Sequence, residues 1–168
     1  MIIAIIVILI IAFIYIYKPE ILDISKKYIE CRFLKLERLS SRTKNIAINY
    51  ANFIILDDKG IAIPPLTITV YPSIIFGDGI TEQSKSATSD IVMLETADTD
   101  TPVIEFDLGA TRNVSQVIII NRRSSDNIVN KLVNERLKDT KLSFLSDKRI
   151  IMFEFLISDI RHIYSINV

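Results

Sequence analysis

The stretch VIEFDLGATRNVSQVIII, residues 103–120, decides how the rest of the chain is read. Its first part, VIEFDL (103–108), places Ile104, Phe106 and Leu108 at alternate positions with Glu105 and Asp107 between them. That is the period of a strand with one buried face. Gly109 then permits a turn at positive φ. Residues 114–120, apolar without a break from 117, read as a strand at the centre of a sandwich.

Working outward, the same period recurs. CRFLKLER (31–38) sets Leu34 and Leu36 on one face and Lys35 and Glu37 on the other. Residues 45–56 are apolar around the interruption Asn49-Tyr50-Ala51-Asn52, and Asp57-Asp58-Lys59-Gly60 is a turn leading to Pro64-Pro65. LTITVY (66–71) alternates, with Leu66, Ile68 and Val70 predicted inward and Thr67, Thr69 and Tyr71 outward. Residues 76–101 are rich in Gly, Asp, Ser and Thr, broken by an apolar stretch at 91–94, and form the longest loop-like region. A loop at 121–130 is followed by a strand at 138–145, a Ser-Asp-Lys turn, and strands within 149–157 and 159–168. About eight short strands without a long amphipathic helix predict an all-β fold, an antiparallel β-sandwich of jelly-roll type.

Ahead of this body stands MIIAIIVILIIAFIYIY, residues 1–17, with no charge, Gly or Pro. At ~1.5 Å per residue the run is about 25 Å long as a helix, at the lower end of what crosses a ~30 Å hydrocarbon core. Tyr15 and Tyr17 fall where interfacial aromatics belong, Lys18 can snorkel and Pro19 ends the helix. A secretory signal would carry a basic leading region and a small-residue cleavage site, and this run has neither. The expected plan is a single transmembrane helix at 1–17, a stalk at 18–29 and a β-sandwich at 30–168. Lys18, Lys26 and Lys27 follow the run and no Lys or Arg precedes it, which favours the cytoplasmic side for the body, although a folded domain can translocate regardless of charge. The sequon Asn113-Val114-Ser115 would matter only on the lumenal side.

Composition excludes several functions. Twenty Lys and Arg balance twenty Asp and Glu, so no basic excess argues for nucleic acid. Isoleucine is about a fifth of the chain and raises strand propensity. Cys31 is the one cysteine, so neither an intrachain disulfide nor a Cys-based zinc site can form, and it reads as a small buried residue. The one histidine, His162, lies in the apolar stretch IRHIYSINV and reads as a strand residue rather than a base. With no His pair, no Cys/His dyad and Asp57-Asp58 reading as turn formers, no enzyme is predicted.

Four pieces in order carry a family resemblance: PVIEFDLG (102–109), VIIINR (117–122), Glu135-Arg136-Leu137 and KLSFL (141–145). Upstream, YIECRFLKLE (28–37), FIILDDKG (53–60) and FGDG (76–79) with Thr81 continue the series. The set resembles the galactose-binding-like β-sandwich of the discoidin, or coagulation-factor type C, family over most of 28–168. The resemblance implies the same sandwich. Val103 and Ile104 replace an aromatic pair common before the Asp-Leu-Gly turn, the family's terminal Cys pair is absent, and there is no Trp. Fucose-binding members present a His with two Arg on loops, whereas His162 lies past all such loops.

The candidate ligand- or partner-binding loops contain Asp78, Thr81, Arg122, Arg123, Asp126 and Arg136. Arg122 and Arg123, with Asp126 close by, can grip a carboxylate, a hydroxyl pair or a partner loop, or stand as solvated charges. Asp78, Thr81 and Glu82 could join backbone carbonyls around a Ca²⁺, with Asp78 and Glu82 as the acidic ligands. Arg136 is expected to hold two strand ends through an ion pair with Glu135 or Asp139. Two functions follow. One is a structural or interaction protein, held at a membrane by residues 1–17 and docking on other structural proteins. The resemblance extends to sandwiches of this kind among virion proteins of large DNA viruses, which implies a minor capsid-associated component between an internal membrane and a protein shell. The other is a membrane-tethered carbohydrate- or lipid-binding module, which calcium-dependent binding would favour; no cofactor is required by either.

Overall fold

A computed structural model describes residues 27–39, 47–76, 94–122 and 135–168. The predicted anchor and most of the stalk lie outside the described residues. Ten strands are found: β1 (Ile29–Arg38), β2 (Asn49–Tyr50), β3 (Asn52–Asp57), β4 (Thr67–Tyr71), β5 (Ile74–Phe76), β6 (Leu94–Thr96), β7 (Val103–Ile120), β8 (Thr140–Leu145), β9 (Ile151–Ile157) and β10 (Ile163–Asn167). A single turn of 3₁₀ helix, Glu135–Leu137, precedes β8. Every strand pairing is antiparallel.

The quoted stretch is one strand, β7, and not two strands split by a turn at Gly109. Its first half pairs with β1 on one side and β4 on the other, and its second half with β3 and β10. Between the pairs Phe33↔Asp107 and Cys31↔Arg112, β1 moves from 33 to 31 while β7 moves from 107 to 112. The surplus residues of β7 bulge, and Gly109 sits among them at φ +77°. The left-handed conformation expected of Gly109 is therefore present, but a bulge absorbs it and the ladder to β1 resumes. No chain reversal occurs there.

Strand β7 thus serves two sections. In the first, β8 and β9 extend beyond β1, so the order runs β4, β7, β1, β8, β9; in the second, β7 lies between β3 and β10. Strands β2, β6 and β5 form a separate small sheet. Alternation sends Leu34, Leu36, Ile104, Phe106, Leu142 and Phe144 inward from the first section, and Phe53, Ile55, Val117, Ile119, Tyr164 and Ile166 inward from the second. These faces meet in one core, where the Phe53 ring stacks on Phe106 at 4.2 Å and Tyr50 lies 6.4 Å from the same ring. The fold is all-β and antiparallel, and this meeting of two inner faces is compatible with a β-sandwich. Among the described residues no helix is long and apolar enough to cross a membrane.

Strand β4 departs from expectation at its start. Ile68 and Val70 do pack against the core, and Thr67, Thr69 and Tyr71 are exposed. Leu66, predicted inward, is 68% exposed. It precedes the strand, donates its N–H to the Asp107 carbonyl at 2.7 Å, and lays its side chain over the backbone of Gly109. The turn after β3 forms as its residues dictate: Asp57 Oδ1 accepts the N–H groups of Lys59 (2.9 Å) and Ile61 (2.7 Å), and Gly60 takes φ +75°.

Candidate functional site

Two polar clusters flank the core, one at the β7 bulge and one just past the end of β7. At the bulge, Arg32 donates from Nε and Nη2 to the two carboxylate oxygens of Asp107, each at 3.0 Å. Asp107 Oδ1 also accepts the Gly109 N–H at 2.8 Å. The hydrogen bond from Arg32 is the main cause holding the Asp107 carboxyl below its usual range. Next to it, Arg149 pairs with Glu105, and the guanidinium groups of Arg32 and Arg149 lie 4.9 and 4.2 Å from the centre of the Phe33 ring. A polar cleft of about 490 Å³ opens beside the bulge between Asp57, Asp58 and Ile63 on one side and Thr111, Arg112 and Asn113 on the other.

The second cluster is built around Glu95, the middle residue of β6. Its Oε2 accepts from Arg122 Nη1 at 3.1 Å and its Oε1 accepts from Arg136 Nη1. Asn49 lies directly opposite Glu95 in the β2–β6 pair and is fully buried. Its side-chain amide has no hydrogen-bond partner among the described residues, and neither has the buried Nε of Arg122. The strands beneath are tied by side chains: Thr96 Oγ1 accepts the Ile48 N–H at 3.0 Å, and Asp98 Oδ1 accepts the Ala47 N–H at 3.0 Å. The 3₁₀ turn is anchored by buried Leu137, and the buried Arg38 side chain donates to the Arg136 carbonyl at 2.8 Å. Burial is the first cause lowering the Arg38 pKa.

The loop arginines singled out from sequence therefore converge, through a residue that sequence reasoning did not name. Arg122 and Arg136 share Glu95, and this replaces the expected pairing of Arg136 with Glu135 or Asp139. Glu95 gives little signal in the sequence, being one of several carboxylates within the polar stretch 76–101. Asp78, Thr81, Glu82, Arg123 and Asp126 lie outside the described residues. Among the described residues no group of three or more His, Cys, Asp or Glu side chains is placed to hold a metal. Cys31 is fully buried and its thiol is pushed up to about 12, so it stays protonated and unreactive at neutral pH. His162 sits one residue ahead of β10, with its carbonyl accepting the Asn121 N–H at 2.8 Å.

No protein-family model, curated protein or solved structure matches the chain. What is established is an antiparallel all-β fold with an internally paired polar cluster at one margin and a polar cleft at another.

Proposed function

We propose that this protein is a membrane-anchored structural or interaction protein that docks on its neighbours through a β-domain. The observation that carries the reading is the uncharged run at 1–17, followed after residues 18–28 by a β-domain whose first strand begins at Ile29. The state of Arg122 and Arg136 supports docking over ligand capture, because each engages an internal carboxylate. In its finer form, resting on the resemblance to galactose-binding-like sandwiches, the reading is of a minor virion component linking an internal membrane to a protein shell.

Lysine cross-linking with mass spectrometry on native membranes or particles tests this, combined with alkaline carbonate extraction of the full chain and of a chain lacking residues 1–17. The expected result is a carbonate-resistant full chain, an extractable truncated one, and repeated cross-links to one abundant structural protein. Extraction of the full chain at high pH would remove the anchor from the reading. Absence of recurrent protein neighbours would remove docking.

The polar cleft between Asp57 and Arg112 favours a second reading, a membrane-tethered carbohydrate- or lipid-binding module. A glycan and lipid array with and without calcium separates the two, since specific binding abolished by Arg112→Ala would favour the module.

A further inference from the structure

We propose that β9 is a self-pairing edge through which two copies of this chain join their sheets about a twofold axis at Glu154. The proposal goes beyond the docking reading and stands whether or not residues 1–17 enter a membrane.

The first section of the sheet has two margins, and they differ. At one, β4 carries Thr67, Thr69 and Tyr71 outward, with Pro64-Pro65 before it and Pro72 after it, devices that discourage strand addition. At the other, β9 reads IMFEFLI with no proline, and among the described strands it pairs only with β8. Its inner-face residue Phe153 packs edge-on against Phe144 at 5.5 Å. Ile151, Met152 and Leu156 are about half exposed, at 53%, 53% and 47%. An apolar strand with a free backbone edge is a template for another strand.

The order of the residues selects the occupant. IMFEFLI is close to a palindrome about Glu154, so an antiparallel partner of the same sequence sets like against like. Ile151 faces the partner's Ile157, Met152 faces the partner's Leu156, and Phe153 faces the partner's Phe155. An isologous twofold contact needs this self-complementarity, and an unrelated strand would match it only by chance. The face assignment is kept as well. Phe153 and Phe155 stand opposite Phe144 and Leu142 of the core, while Glu154 and Leu156 stand opposite Ser143 and Lys141 on the outer face.

The one charge in the strand is compensated. Glu154 Oε1 accepts from Lys141 Nζ and from Ser143 Oγ, both at 2.9 Å. At the axis two Glu154 would meet with two Lys141, a neutral group of four charges, which offsets the repulsion of like charges placed opposite each other. A register shifted by two residues would instead set Glu154 against Met152 or Leu156 of the partner subunit.

The test uses the full chain in detergent and in membranes. Glu154→Cys places a thiol on the axis, where antiparallel Cα atoms stand ~4.5–5.5 Å apart, inside the ~4.4–6.8 Å range a disulfide accepts. Buried Cys31 does not compete. Thr69→Cys, exposed on β4, is the matched control. Light scattering is expected to give a dimer mass, mild oxidation to cross-link Glu154→Cys but not Thr69→Cys, and Leu156→Lys to weaken association by about tenfold or more. Circular dichroism checks that Leu156→Lys keeps its β signature. The proposal is overturned by a monomer at all concentrations, by equal cross-linking of the two thiol variants, or by a dimer that survives Leu156→Lys without a cross-link at 154. The last result would move self-association to another part of the chain. Cross-linking of Glu154→Cys mainly to a different protein would also overturn it, in favour of a foreign strand.

Discussion

At the β7 bulge, Asp107 takes two N–H groups from Arg32 on the adjacent strand β1 and a third from Gly109 two residues further on. Past the end of β7, Glu95 takes one arginine from position 122 and another from 136. The first arrangement needs only the β1–β7 pairing and the Asp107–Gly109 turn, although Arg32 lies 75 residues from Asp107 in the chain. The second needs β6, the end of β7 and the 3₁₀ turn to be in place together. Exposure follows this division, with the Asp107 side chain 22% exposed and that of Glu95 13%. The contrast is between a carboxylate served by one strand pair and one that gathers three segments, on either side of a shared core.

The largest effect expected is on that core. Phe106→Ala should cost about 3–5 kcal/mol, because it removes the ring on which Phe53 stacks. If the molecule is one cooperative unit, hydrogen exchange should speed up at both the Gly109 amide and the Ile48 amide. Acceleration at Gly109 with Ile48 unchanged would break the comparison into two independent regions.

Glu95→Ala is next, at about 1–3 kcal/mol, between an exposed and a buried ion pair, since it strands two arginines, one with a buried Nε. Urea melts should rank it above Asp107→Ala. The reverse order would mean that the pair within one strand pairing carries more stability than the one that gathers three segments.

Gly109→Ala should cost about 1–2 kcal/mol through its positive φ. The nearest atoms to an added Cβ would be those of the Leu66 side chain, whose Cδ2 is 3.2 Å away and which can move. Combining it with Leu66→Ala should therefore recover little. Full recovery would assign the cost to crowding rather than to the backbone.

The smallest effect is on acid stability. The folded-state pKa of Asp107 lies below its usual 3.8, so its contribution is present above that value and is lost as pH falls through the depressed one. Asp107→Asn should cost less than about 1 kcal/mol at neutral pH, given screening of an exposed pair. It should also flatten the loss of stability below about pH 4 relative to the parent chain. An unchanged acid limb would mean that another carboxylate dominates, with Glu154, also lowered mainly by its hydrogen bond from Lys141, the next to replace.

How much of this was legible follows the range of the interactions. Alternation placed Leu34, Leu36, Ile104 and Phe106 in the core and Lys35 and Glu37 on the other face, because a strand's period is set by its own backbone. The same rule failed at Leu66, where the strand had not yet begun. Gly109 was readable as a left-handed residue but not as a bulge, since a bulge is defined by the partner strand. Arg122 and Arg136 could be marked as loop arginines, yet their shared partner lies 27 and 41 residues away in the chain. No spacing rule reaches that far.

By itself, then, the sequence determined the all-β class, most inward faces, the Asp57–Gly60 turn and a lone cysteine with no bridge to make. These depend on backbone period, turn chemistry and residue counts. Only the tertiary structure decided that β7 serves two sections, that Asp107 closes on Arg32, that Glu95 gathers Arg122 and Arg136, and that among the described strands β9 is the apolar margin of the sheet. Each of those is a relation between segments distant in the chain, and it exists only once the common core has brought them within contact distance.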